Sequence, residues 1–241
     1  MAMFFIALVC VVIAAAMEPD QPDEPEPIRS PVWVALGGSD GVPPGPSAVR
    51  TDTWVARLAA SLPERLQPRL HNLSVSGGTV TKVRSLHVRA AVAMQPDVVT
   101  AWLVIDDLRA GTPLDVYERE LRALVDSLTA VGARVILGNV PPFRQALVVA
   151  ESSGDLPIAS QISEDWNVVI ARVARQPDVE LVDLSHDDVV QPLSSGPASD
   201  DGWTLSDEAR AQLAERFRPA VTRALIQATG DNGPVGPCGD T

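Results

Sequence analysis

Val32-Trp33-Val34-Ala35-Leu36-Gly37-Gly38-Ser39-Asp40-Gly41 runs from an unbroken apolar stretch into a glycine-rich turn with a single serine at its tip. Consecutive apolar residues, without alternation, suit a strand covered on both faces, as in a parallel sheet. The glycines let the chain turn sharply and leave Ser39 at the carboxyl end of the strand, the end where open α/β sheets bind ligands. Outward from this stretch, strand and helix signals alternate. Leu70–Val75, Val98–Ile105, Val135–Leu137 and Val179–Val182 read as further strands. Between them, helices are expected from a Thr51-Asp52 cap through Leu62, over Val80–Met94, from Thr112 as N-cap with Pro113 in the first helical position to Gly132, over Ser163–Arg175, and from Ser206 to about Ala228. Five strands alternating with helices predict an α/β fold: one five-stranded parallel sheet wrapped on both faces.

Composition limits the function. The 241 residues are 46% hydrophobic and 21% charged, with 21 Pro and 16 Gly, enough for one core of roughly 150–200 residues plus tails. A net charge of −12 argues against nucleic acid, since phosphate binding needs a basic footprint, and against adsorption to an anionic membrane surface. Ala2–Met17 is apolar without a charge, and Ala14-Ala15-Ala16 offers the small residues at which a signal peptidase cuts. The run is short for a span of roughly twenty residues, so residues 1–17 read as an export signal or, second, an N-terminal anchor, the only expected link to a membrane. The expected location is therefore secreted or tethered outside the cytoplasmic membrane. Residues 18–29 follow as an acidic, Pro-rich linker, 30–229 form the folded domain, and the Gly- and Pro-rich 230–241 form a tail. Cys10 would leave with the signal and Cys238 sits in the tail, so no intrachain disulfide framework is expected.

Four blocks carry the chemistry. Gly37-Gly38-Ser39 ends the first strand, Asn72-Leu73-Ser74-Val75-Ser76-Gly77 ends the second, Val104-Ile105-Asp106-Asp107 ends the third, and Asp201-Gly202-Trp203-Thr204 precedes the last helix. In that order they resemble the blocks of the SGNH/GDSL hydrolases, esterases and lipases on a flavodoxin-like three-layer α/β/α sandwich, over about 31–228. The resemblance implies Ser39 as nucleophile, with the Gly77 amide and the Ser39 amide as oxyanion donors. It also exposes departures. The family's Gly-Asp-Ser reads Gly37-Gly38-Ser39 here, its Gly-x-Asn-Asp ends in Asp106-Asp107, and its Asp-x-x-His is Asp201-Gly202-Trp203-Thr204.

Both side-chain losses have a physical meaning. A serine hydroxyl needs a base in hydrogen-bond reach; Thr204 is none, and Asp201 loses the imidazole it would orient. An ionised Asp106 in place of asparagine accepts where a donor is wanted and carries the same sign as the developing oxyanion. Two substitutes for the base remain open: His186, just past the fifth strand on the Ser39 side, or a carboxylate. His71 sits at the start of the second strand, and His87 reads as a surface position on a helix near Arg84 and Arg89. Trp203, beside Thr204, is expected over the cleft, where its ring could stack on a sugar or close the site. Asp106, Asp107, Asp200 and Asp201 match no metal-loop pattern, so neither metal nor cofactor is expected. Lys82 is the only lysine. The expected function is an exported, esterase-like protein, weak or inactive for want of the histidine and asparagine. Its partners are small-molecule ester, acyl or glycan ligands. The alternative is a non-catalytic binding protein using the same cleft.

Overall fold

The computed structural model describes residues 29–43, 53–141, 156–186 and 205–230, and for 156–162 the backbone alone. Five strands, β1 (Val32–Gly37), β2 (Arg69–Asn72), β3 (Val98–Trp102), β4 (Arg134–Gly138) and β5 (Val179–Val182), form one sheet in the order β2-β1-β3-β4-β5. Every neighbouring pair is parallel; Trp33 lies opposite both Leu70 and Val98, and Leu137 opposite both Ala101 and Leu181. The α/β class and five-stranded parallel sheet expected from the sequence are what the chain adopts.

Seven helices accompany the sheet among the described residues: α1 (Trp54–Ser61), α2 (Val80–Leu86), α3 (Val88–Ala93), α4 (Ile105–Arg109), α5 (Leu114–Thr129), α6 (Leu156–Val173) and α7 (Asp207–Thr229). α1 packs with α7 on one face, while α2, α3, α5 and α6 pack together on the other. With both faces covered, β1 and β3 are buried at every residue, whereas the edge strands β2 and β5 are only partly so. This is why β1 reads as a continuous apolar run. Burying tryptophan also requires a partner for its N–H: Trp33 donates to Thr100 Oγ1 at 3.1 Å and Trp102 to the Asn139 carbonyl at 3.1 Å. Ring pairs tie the helical layers together, Trp54 to Phe217 at 4.7 Å and Tyr117 to Trp166 at 4.2 Å between centroids. No helix among the described residues is long and apolar enough to cross a membrane; residues 1–17 lie outside them.

Several element boundaries differ from expectation. The third strand ends at Trp102 rather than Ile105, because Ile105 begins the short α4. The first helix is capped by Thr53, whose hydroxyl accepts from the Ala56 amide at 3.1 Å; Thr51 and Asp52 lie outside the described residues. Thr112 does not cap α5: its amide is drawn to the Asp107 carbonyl at 3.0 Å, and Pro113 occupies the cap position. The stretch 80–94 is two helices meeting at His87, where a φ of −117° widens the turn. His87 is not a surface residue; it is half-buried, and its Nε2 is buried without a hydrogen-bond partner. α6 begins at Leu156, ahead of Ser163. Ser206 caps α7 as expected, accepting from the Ala209 amide at 3.1 Å.

Candidate active site

Three adjacent strands, β2, β1 and β3, deliver their carboxyl-end loops to one place. The sheet order reverses between β1 and β3, and in doubly wound sheets the crevice at that reversal is where ligands bind. β1 runs through Gly37 into a single 3₁₀ turn, Ser39–Gly41, closed by the Gly41 amide on the Gly38 carbonyl at 3.2 Å. β2 continues as a loop whose Leu73 and Val75 amides still bond Ala35 and Gly37 of β1. That loop then turns at Gly77, whose φ of +63° favours glycine. β3 gives way to α4, which starts with the buried Asp106 and Asp107.

Ser39 stands among these loops, partly exposed. Its hydroxyl donates to Asp106 Oδ1 at 3.0 Å and accepts from the Gly77 amide at 2.9 Å. Asp106 Oδ2 in turn accepts from the Ser39 amide at 2.7 Å and the Gly78 amide at 3.0 Å. The Gly77 amide thus faces the serine oxygen, and it is Gly78 that joins the Ser39 amide on a common carboxylate oxygen. The next carboxylate, Asp107, accepts from the Val80 amide at 2.6 Å, so that the pair seals the start of α2. Lys82, one turn into α2, donates to the Ser76 carbonyl at 2.8 Å and so pins the turn that carries Gly77.

The electrostatics are acidic. Asp40 turns its carboxylate inward onto the Trp54 indole N–H at 3.2 Å. Burial pushes it up to about 7, and the Asp106 charge adds to the effect. Asp107, fully buried, is pushed up by burial to about 6, again with Asp106 contributing. Its Oδ1 has no hydrogen-bond partner. Removing carboxylates from water shifts them toward the protonated form.

No histidine reaches Ser39 among the described residues. His71 lies on edge strand β2 opposite Val34, roughly 10 Å back from the carboxyl end of β1 at ~3.3 Å per residue. His186 follows β5, three strands from β1, about 14 Å at ~4.8 Å per strand. It is exposed and paired through Nδ1 to Asp183 Oδ2 at 3.1 Å. Partial burial raises Asp183, but hydrogen bonds from Ser185 and Asn139 outweigh it and hold the carboxyl below its usual range. Asp201, Trp203 and Thr204 lie outside the described residues. No group of three His, Cys, Asp or Glu among the described residues is placed to hold a metal ion.

Three residues at the site were given no role by the motifs. Gly78 contributes its backbone amide, and Lys82 its side-chain ammonium, to one turn. The Ser74 hydroxyl, buried and unpartnered, fills the space beside Gly37 and Gly41.

The sequence model of the GDSL-like lipase/acylhydrolase family matches residues 35–224. No curated protein matches the sequence significantly. Among solved structures, the fold is similar to a lipase/acylhydrolase from Enterococcus faecalis, at TM-score 0.63 and 17% identity over 80% of this chain and 96% of that one. It is also similar to a catalytic mutant of an acetylxylan esterase from Geobacillus stearothermophilus, at TM-score 0.60 and 21% identity over 84% of this chain and 96% of that one. A psychrotrophic esterase from Pseudoalteromonas sp., inhibited by monoethylphosphonate, follows at TM-score 0.54 and 16% identity, over 82% and 96%.

Proposed function

Because this chain belongs to the GDSL-like lipase/acylhydrolase family, we propose that it keeps that family's ester site while catalysis at Ser39 is weak or silent. The observation that carries this reading is the destination of the serine proton. Ser39 Oγ donates to Asp106, a carboxylate already holding two backbone N–H groups, and no imidazole is in reach among the described residues. A carboxylate is a feeble base toward an alcohol, which holds its proton far more tightly. Loss of a matched base removes about 10²–10⁴ in rate. Loss of one oxyanion donor removes about 10²–10³ more.

The ligand class follows from the family: a small ester, an acyl group or an acylated glycan, the last because one structural neighbour is an acetylxylan esterase. The apolar Ala2–Met17 and the acidic linker behind it support export, with the protein secreted or held at the outer face of the cytoplasmic membrane. Retention of the cleft for binding alone is the second reading, favoured because a negative charge stands where an acyl oxygen would gather its own.

The deciding experiment is labelling of the purified protein with a fluorophosphonate, beside Ser39→Ala. We expect no labelling of the folded protein between pH 5 and 8. Labelling that disappears in Ser39→Ala would show an activated serine and overturn the silent-site reading.

A further inference from the structure

We propose that the chain fills its own anion cradle: Asp106 is an internal carboxylate ligand of the Ser39 and Gly78 amides, and Gly38 is the residue that admits it. The inference rests on the silent-site reading for its context and names what does the silencing.

Three donors converge on one carboxylate. The Ser39 and Gly78 amides meet Oδ2 at 2.7 and 3.0 Å, and the Ser39 hydroxyl meets Oδ1 at 3.0 Å. Two of the three are backbone groups aimed by β1 and by the 76–79 turn, so they would face this point whatever side chain stood at 106. Convergent amides of this kind form a concavity for an anion, and hydrogen bonds to an ionised acceptor are the strong ones. Asp106 is 8% exposed. The cradle is therefore closed to a second anion of similar shape.

Access to that seat depends on position 38. A Cβ built on Gly38 would stand 2.2 Å from Asp106 Oδ2, 3.2 Å from its Cγ and 3.3 Å from the Gly78 carbonyl. The 2.2 Å contact cannot stand, so a side chain at 38 requires the Asp106 carboxylate to move from its seat. The two departures from the family pattern, glycine at 38 and aspartate at 106, are one structural change seen twice. It also fixes the ligand class of the vacated cradle: a planar monocarboxylate, bound by two amides and a hydroxyl.

The test removes the internal ligand and offers a free one. Full-length Asp106→Ala is titrated with sodium formate against sodium chloride at constant ionic strength. Thermal melting and the amide resonances of residues 39 and 78 are followed. Formate should raise the melting temperature of Asp106→Ala by about 3 °C or more with saturation in the millimolar range, and should shift both resonances. The wild type should show neither response. Equal formate responses in variant and wild type, or none in either, would overturn the proposal.

If Asp106→Ala does not fold, Gly38→Ala and Asp106→Ser take its place. Gly38→Ala should melt several degrees below the wild type, and in an Asp106→Ser background its cost should shrink, because the shorter side chain vacates the space the two sites share. Costs that simply add would refute the coupling. Fluorophosphonate labelling of the wild type would remove the silent-site reading while leaving the formate titration to decide the cradle.

Discussion

At Ser39 the chemistry turns on which atom can take a proton, and two side chains decide it. Asp106 draws the hydroxyl hydrogen toward an acceptor that has no reason to keep it. On the proposed reading, Thr204 stands at the family's histidine position and offers no alternative. Restoring both should therefore matter more than restoring either. We expect Asp106→Asn with Thr204→His to raise hydrolysis of p-nitrophenyl acetate by at least ~10²-fold over the wild type. The gain should follow the ionisation of the new imidazole and vanish with Ser39→Ala. A well-folded double variant as inert as the parent would mean that the last block is wrongly matched. The meeting of Ser39 with Asp106 was legible at this scale because both lie in short motifs that close neighbouring strands. Gly38 was legible only as an absence. Its meaning lies in a 2.2 Å approach to a residue on another strand, which no local pattern contains.

At the scale of elements, the site is held by the turn between β2 and α2, and that turn is held by a lysine. Lys82 Nζ bonds the Ser76 carbonyl at 2.8 Å, which fixes the loop just ahead of the Gly77 amide that faces Ser39. Lys82→Met keeps the aliphatic stem and removes the bond. It should cost about 1 kcal/mol, or roughly 2–4 °C in melting temperature, and should speed hydrogen exchange at the Gly77 amide. Exchange at Gly77 unchanged from the wild type would show that the turn stands without the lysine. The strands and the faces of the helices were readable because burial imprints a period on the sequence: β1, covered twice, is apolar throughout, and Trp54, Val55 and Leu58 line one side of α1. The ends of elements were not. Val104-Ile105 has the composition of a strand, yet α4 begins there because Asp106 finds amides to cap across the sheet. Thr112, which precedes proline as a cap often does, bonds back to Asp107. The first of these competitions is decided between loops that are distant in sequence, the second within a single short loop.

Across the whole molecule, the crowding of carboxylates at one end of the sheet makes stability depend on pH in an unusual sense. Asp40 sits at about 7 and Asp107 at about 6, both raised chiefly by burial from an ordinary 3.8. Between pH 4 and 7 the folded chain thus holds protons that the unfolded chain has lost, and stability must fall as pH rises through that window. Carboxylates held low by arginines pull the other way, Glu120 beside Arg84 and Asp207 beside Arg210. Their contribution is lost only as pH drops through the low carboxylate range, below the window in question. The net charge of −12 at pH 7 adds repulsion in the same direction as the buried pair, so a control must separate the two. Asp40→Asn and Asp107→Asn do so: each keeps an oxygen to accept from Trp54 Nε1 or the Val80 amide and abolishes one titration. We expect the wild type to be less stable at pH 8 than at pH 5 by a few kcal/mol, or about 5–10 °C in melting temperature. Each substitution should flatten part of that slope, Asp40→Asn between pH 4 and 7 and Asp107→Asn between pH 4 and 6. A wild type that gains stability from pH 5 to 8, or variants that keep the full slope, would place the protons elsewhere and leave repulsion as the cause.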